Sequence, residues 1–103
     1  MNIVVFGAGS VGGYFGGRLA KAGNDVTFIA RGRHLEAIKN KGLQVKSING
    51  DFLVHPSATD TVDNLKAPDL IILGVKSWQV ADVAKEIVPI VAEHTLVLPL
   101  QNG

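Results

Sequence analysis

The segment Gly7-Ala8-Gly9-Ser10-Val11-Gly12 constrains this chain more than any other. A G-x-G-x-x-G spacing is common by itself, but here it has a specific setting. It directly follows the apolar run Asn2 to Phe6, and from Ser10 the apolar residues Val11, Phe15, Leu19 and Ala22 recur at helical spacing until Gly23-Asn24. A strand, a glycine turn and a helix in that order form the phosphate-binding unit of dinucleotide-binding domains. Gly7 is expected to allow the tight turn, Gly9 to let the backbone approach a pyrophosphate, and Gly12 to let helix and sheet pack closely. The helix start then offers unpaired N–H groups and the positive end of its dipole to phosphate. Gly13, Gly16 and Gly17 extend the small-residue face. A purely structural turn is the alternative reading of the same residues.

The rest of the chain continues the alternation. Asp25 to Ala30 predicts a second strand, and Arg31 to Lys41 a helix with Leu35 and Ile38 inward and Gly42 as its stop. Leu43 to Ile48 and Phe52 to His55 flank Asn49-Gly50-Asp51, a hairpin signal. Pro56 to Pro68 is turn-rich. Leu70 to Val75 predicts another buried strand, Trp78 to Ala92 a helix with Val80, Val83, Ile87 and Val91 on one face, and Thr95 to Leu98 a last strand. Pro89 should kink or end that helix. Such alternation implies an α/β fold, a Rossmann-type doubly wound parallel sheet in three α/β/α layers with a small β-hairpin insertion. Residues 1-103 form one dinucleotide-binding domain, with no internal repeat or boundary.

Composition narrows the function. Ten basic and nine acidic residues leave a net charge of +1, so no general nucleic-acid or anionic-membrane surface is expected, and anion binding must be local. There is no cysteine, hence no disulfide and no thiolate nucleophile. No run approaches the roughly 18 apolar residues of a membrane span, and the expected location is cytoplasmic. His34, His55 and His94 are scattered without metal-ligand spacing, and Asp60, Asp63 and Asp69 read as turn residues, so no metal site is expected.

The end of the second strand bears on the cofactor. NAD-specific domains place an acid there to accept the ribose hydroxyls. Here the strand ends Ile29-Ala30-Arg31-Gly32-Arg33. Asp25 lies at its opposite end and Glu36 lies more than a turn into the helix. Arg31 takes the acid's place, with Arg33 and His34 adding positive charge. A guanidinium can grip a 2′-phosphate bidentately, which favours NADP(H) over NAD(H).

With these residues placed, the whole chain resembles ketopantoate reductase, the NADPH-dependent 2-dehydropantoate 2-reductase of pantothenate biosynthesis. The resemblance rests on Gly7 to Gly12, Arg31, Val75-Lys76-Ser77-Trp78-Gln79 and the terminal Gln101-Asn102-Gly103. It implies cofactor contacts from Gly7, Ala8, Gly9, Ser10, Val11, Gly12, Arg31, Lys76 and Asn102, with Arg31 at the 2′-phosphate. It places Asn102 where nicotinamide meets a 2-keto acid substrate, and Gln79 facing the same cleft. Lys76 follows an apolar strand, at the sheet edge where ligands bind in such folds. Asn102-Gly103 also suits an ordinary turn, and Trp78 reads as core or cleft wall.

The family's proton-donating lysine and an acidic substrate partner belong to a helical C-terminal domain. No catalytic residue is therefore expected in this chain, which stops just past an apolar run on a loop that should lead onward. Its own C-terminal domain is the expected partner, and these residues leave a homo-oligomer open. Two other readings remain: another NADP-linked 2-keto or 2-hydroxy acid dehydrogenase, and a non-catalytic nucleotide-sensing module.

Overall fold

A computed structural model describes residues 1–100 of the chain. Five parallel strands form the main sheet: β1 (Asn2–Phe6), β2 (Asp25–Ile29), β5 (Ser57–Thr59), β6 (Leu70–Leu73) and β7 (Leu96–Pro99), in the order β5-β2-β1-β6-β7. Register is continuous across the centre, with Val5 opposite both Phe28 and Ile72. Because successive side chains of a strand point to opposite faces, the buried strand residues divide into two cores. Ile3, Val5, Val26, Phe28 and Ile72 meet Leu35 and Ile38 on one face, while Val4, Phe6, Ile29, Ile71 and Leu73 meet Val83, Ile87 and Ile90 on the other. The first face is covered by α1 (Ser10–Lys21) and α2 (Gly32–Lys41), the second by α3 (Val80–Ile87). All strands run the same way, but the order in which they are added switches sides at β1, with β2 on one side and β6 on the other, the arrangement of a doubly wound fold.

In α1 the glycines form the close-packed face, as expected, whereas two of the apolar residues that mark the helix period turn outward. Phe15 is 47% exposed, Ala22 is exposed, and Gly12, Gly13, Gly16 and Gly17 are buried instead. Steric room explains this. A Cβ at Gly16 would lie 2.5 Å from Cζ of Phe28 and 3.0 Å from Val5, and one at Gly17 would collide with Val45. The helix is wedged between the sheet and the hairpin, where only hydrogen fits. Large apolar residues on its other faces mark the helix period without marking its packed face.

Three further elements depart from the sequence reading. The turn-rich stretch contains β5, a short edge strand whose Ser57-Ala58-Thr59 pairs with Thr27-Phe28-Ile29. An edge strand this short and polar carries no apolar run to announce it. The hairpin is shorter than expected, β3 (Leu43–Val45) against β4 (Phe52–Val54), and residues 46–51 loop between them with Gly50 at φ 116° and Asp51 Oδ1 accepting the Ser47 N–H at 3.0 Å. It stands apart from the main sheet. The helix expected over Trp78 to Ala92 is α-helical only over α3, with 3₁₀ turns at Ser77–Gln79 and Val88–Ile90. Pro89 has no N–H to bond back four residues, and the tighter turn rotates Ile90 inward (3% exposed) and Val91 outward (44%).

Gly16→Val should destabilise the fold by about 1–3 kcal/mol through overpacking against Phe28 and Val5, despite the better helix propensity of valine. Urea unfolding followed by far-UV circular dichroism measures this as a lowered midpoint. An unchanged midpoint would mean that α1 stands off the sheet.

Candidate functional site

The carboxyl ends of β1, β2 and β6 and the wall of α3 enclose a crevice of about 500 Å³. Its floor is Phe6 to Gly9 and its β2 side is Ile29 to Arg31 with His34. Val75, Trp78 and Gln79 follow β6, and Asp82, Val83 and Glu86 come from α3. This is the switch point at which open α/β sheets bind ligands, and its size lies in the range of small-molecule and cofactor sites.

The glycines of the first loop serve different needs. Gly7 has φ +88°, and a Cβ there would lie 2.5 Å from the Gly74 carbonyl oxygen. A Cβ on Gly12 would run into the Gly7 carbonyl oxygen, and one on Gly74 would come 2.8 Å from Gly12 Cα. These three residues let the turn after β1, the start of α1 and the end of β6 cross in backbone contact. Gly9 is unlike them. Its φ of −68° suits any residue, and a Cβ on it would meet nothing within 4 Å. Nothing in the fold requires glycine there, while Gly9 lines the crevice. The first α1 hydrogen bond runs from the Gly13 N–H to the Gly9 carbonyl at 2.7 Å, so the preceding first-turn N–H groups have no partner within the helix. A cradle with room at Gly9 and helix-end donors beside it fits a dinucleotide pyrophosphate. Ser10 and Val11 belong to that first turn.

Arg31 stands at the end of β2 as the residue before α2, with extended backbone (φ −137°, ψ 157°). Its side chain is 71% exposed, and its Nη2 donates to Glu86 Oε1 at 2.6 Å across the crevice. His34 shares the crevice lining, whereas Arg33 turns to a separate depression with Glu36 and Asp60. Asp25 sits at the far end of β2, in register with Asn2. The sequence reading of Asp25 and Glu36 as unable to serve the crevice agrees with this layout.

Beyond β6, the Lys76 N–H donates to Gln79 Oε1 at 3.0 Å and the Gln79 N–H returns to the Lys76 carbonyl at 2.8 Å. The Gln79 side chain therefore holds this turn while lining the crevice. Lys76 itself is exposed and is not part of the lining. Trp78 is 76% exposed, a cleft wall and not core. Gln101, Asn102 and Gly103 lie outside the described residues. Among the described residues no three metal-ligating side chains gather, and no helix is long and apolar enough to cross a membrane. Sequence reasoning missed Asp82 and Glu86. Their signal was available, since they sit four apart on α3, each one residue before the buried Val83 and Ile87, and so flank its packed stripe.

The family model described as ketopantoate reductase PanE/ApbA matches residues 3–103. The chain is 44% identical over all its 103 residues to a 2-dehydropantoate 2-reductase of Pyrococcus horikoshii, covering 33% of that protein. Among solved structures, a PanE/ApbA family ketopantoate reductase from Ralstonia eutropha JMP134 superposes with TM-score 0.90 and 40% identity over the whole chain and 35% of its own. A D-mandelate dehydrogenase solved with NADH and anilino(oxo)acetate gives TM-score 0.87 and 32% identity over the whole chain and 34% of its own. This chain spans about a third of the length of these relatives.

Gly9→Val tests the cradle. A Cβ there meets no protein atom within 4 Å, so the unfolding midpoint should stay close to that of the unmodified chain, while affinity for NADP⁺ and NAD⁺ should fall at least tenfold in titration calorimetry. Normal binding by the folded variant would make the loop a structural turn only.

Proposed function

This chain belongs to the ketopantoate reductase PanE/ApbA family, and from that membership we propose that it is the NADP(H)-binding domain of an enzyme reducing 2-dehydropantoate to pantoate in pantothenate biosynthesis. The observation that carries the cofactor assignment is Arg31, an exposed guanidinium at the end of β2 on the rim of the crevice. It stands where an NAD-specific domain carries an acid. Charge-assisted, forked donation to phosphate is the chemistry that arginine performs best.

The described residues divide the work of binding. The helix-end donors after Gly9 take the pyrophosphate, with Ala8, Ser10, Val11 and Gly12 shaping the turn around it. Arg31 takes the 2′-phosphate. Lys76 and Gln79, on the turn after β6, stand on the nicotinamide side, and Asn102 is assigned to the junction of nicotinamide and keto acid. When bound, NADPH supplies the reducing equivalent. The developing alkoxide also needs a placed acid, which contributes about 10²–10⁴-fold in rate. No residue of this chain is assigned that role, so the acid and the substrate-closing side of the cleft are assigned to the part of the relatives' length that this chain does not span. A second reading is supported by the likeness to D-mandelate dehydrogenase: an NAD(P)-linked dehydrogenase acting on another 2-keto or 2-hydroxy acid.

Arg31→Ala should weaken NADP⁺ binding about ten- to a hundredfold, the worth of a charge-assisted hydrogen bond to phosphate, and leave NAD⁺ binding nearly unchanged. Equal affinities of the unmodified chain for both dinucleotides, by calorimetry, would overturn the assignment. Residues 1–103 alone should also show no oxidation of NADPH with 2-dehydropantoate at 340 nm, because the cleft stays open to water on the substrate side and lacks the placed proton donor. Robust turnover would place the catalytic acid within these residues.

A further inference from the structure

The wall of the crevice that faces Arg31 is acidic. Asp82 and Glu86 both line it from α3, one turn apart, and no basic side chain of α3 joins them among the described lining residues. Against these two carboxylates the β2 side sets one arginine and His34. A pocket built only for a phosphorylated ribose would carry surplus positive charge there. Moreover, the guanidinium is already engaged. Its Nη2 lies 2.6 Å from Glu86 Oε1, across 55 positions of sequence and from the opposite layer of the sandwich. The acid missing from the end of β2 is thus supplied from another element.

We propose that Glu86 is a specificity-determining residue that sets the balance between phosphorylated and unphosphorylated dinucleotide by competing for Arg31. This rests on the reading that Arg31 receives the 2′-phosphate. A 2′-phosphate entering the crevice must take the guanidinium from Glu86, and the released carboxylate then remains beside a second anion. An unphosphorylated ribose asks for no such exchange. It leaves the ion pair intact and finds in Glu86 an acceptor for its 2′-hydroxyl. The pair is partly exposed, with the glutamate side chain at 35% and the arginine at 71%, so its contribution is modest, and Glu86 tempers the preference for NADP(H) without reversing it. A carboxylate on α3 therefore broadens cofactor use where a neutral residue would sharpen it.

The test is Glu86→Gln, which keeps the shape and an acceptor oxygen while removing the charge, combined with Arg31→Ala in a double-mutant cycle. Titration calorimetry with NADP⁺ and NAD⁺ is run on all four proteins. Glu86→Gln should tighten NADP⁺ about three- to fivefold and leave NAD⁺ within about twofold. In the Arg31→Ala background the gain for NADP⁺ should shrink, because there is no longer a guanidinium to compete for. If Arg31→Ala weakens NADP⁺ but Glu86→Gln leaves it unchanged, the role of Glu86 is wrong and the 2′-phosphate placement survives. Equal tightening of both dinucleotides, or an undiminished gain without Arg31, would make Glu86 a general repulsive charge and overturn the competition. Should Arg31→Ala leave NADP⁺ binding untouched, the placement itself fails and the competition with it.

Discussion

The backbone crossing of Gly7, Gly12 and Gly74 is the contact on which the rest of the molecule depends. It brings the end of β1, the start of α1 and the end of β6 to separations at which a single Cβ would meet a carbonyl oxygen or another Cα. Once α1 starts there, it is held against the sheet at Gly16 and against the hairpin at Gly17. Its positive end then opens onto the carboxyl edge of the strands, and the crevice forms in the gap toward α3. The cradle for an anion is thus a consequence of packing. Gly9 alone among these glycines faces space, and it is the residue whose smallness only a ligand would need.

Electrostatics acts on that frame at short range. The chain is nearly neutral, so long-range steering is weak and selectivity must come from the few charges lining the crevice. Arg31 is placed by the end of β2 and Glu86 by the last turn of α3, and they meet only because helices cover both faces of the sheet. An exposed pair of this kind adds little to stability. Its importance is that it decides what the guanidinium is free to bind.

Legibility of the fold followed the length and burial of each segment. β1, β2 and β6, buried on both faces, read as apolar runs, and their order implied the parallel sheet. The polar edge strand β5 did not read, because with only one neighbouring strand and three residues it needs no apolar pattern. The close-packed face of α1 was legible in the spacing of Gly12, Gly13, Gly16 and Gly17, whereas the apolar series Val11, Phe15, Leu19 and Ala22 marked the helix period and not its packed face. Of the residues lining the crevice, Gly7, Ala8, Gly9 and Arg31 were singled out through spacing and position, and Gln79 through the family resemblance. Asp82 and Glu86 were not, because charged residues beside a buried helical stripe ordinarily face solvent.

The amino-acid sequence by itself determined what is local: a glycine turn between strand and helix, an arginine in the acid's usual place, and an alternation that only a doubly wound sheet satisfies. These follow from sterics and periodicity over a few residues. Tertiary structure alone decided which glycines of the first loop are crowded and that Gly9 faces open space. It also decided that Arg31 is held by Glu86. Those facts depend on distances between separate elements, up to 67 positions apart for Gly7 and Gly74 and 55 for Arg31 and Glu86, and such distances exist only once the elements have packed.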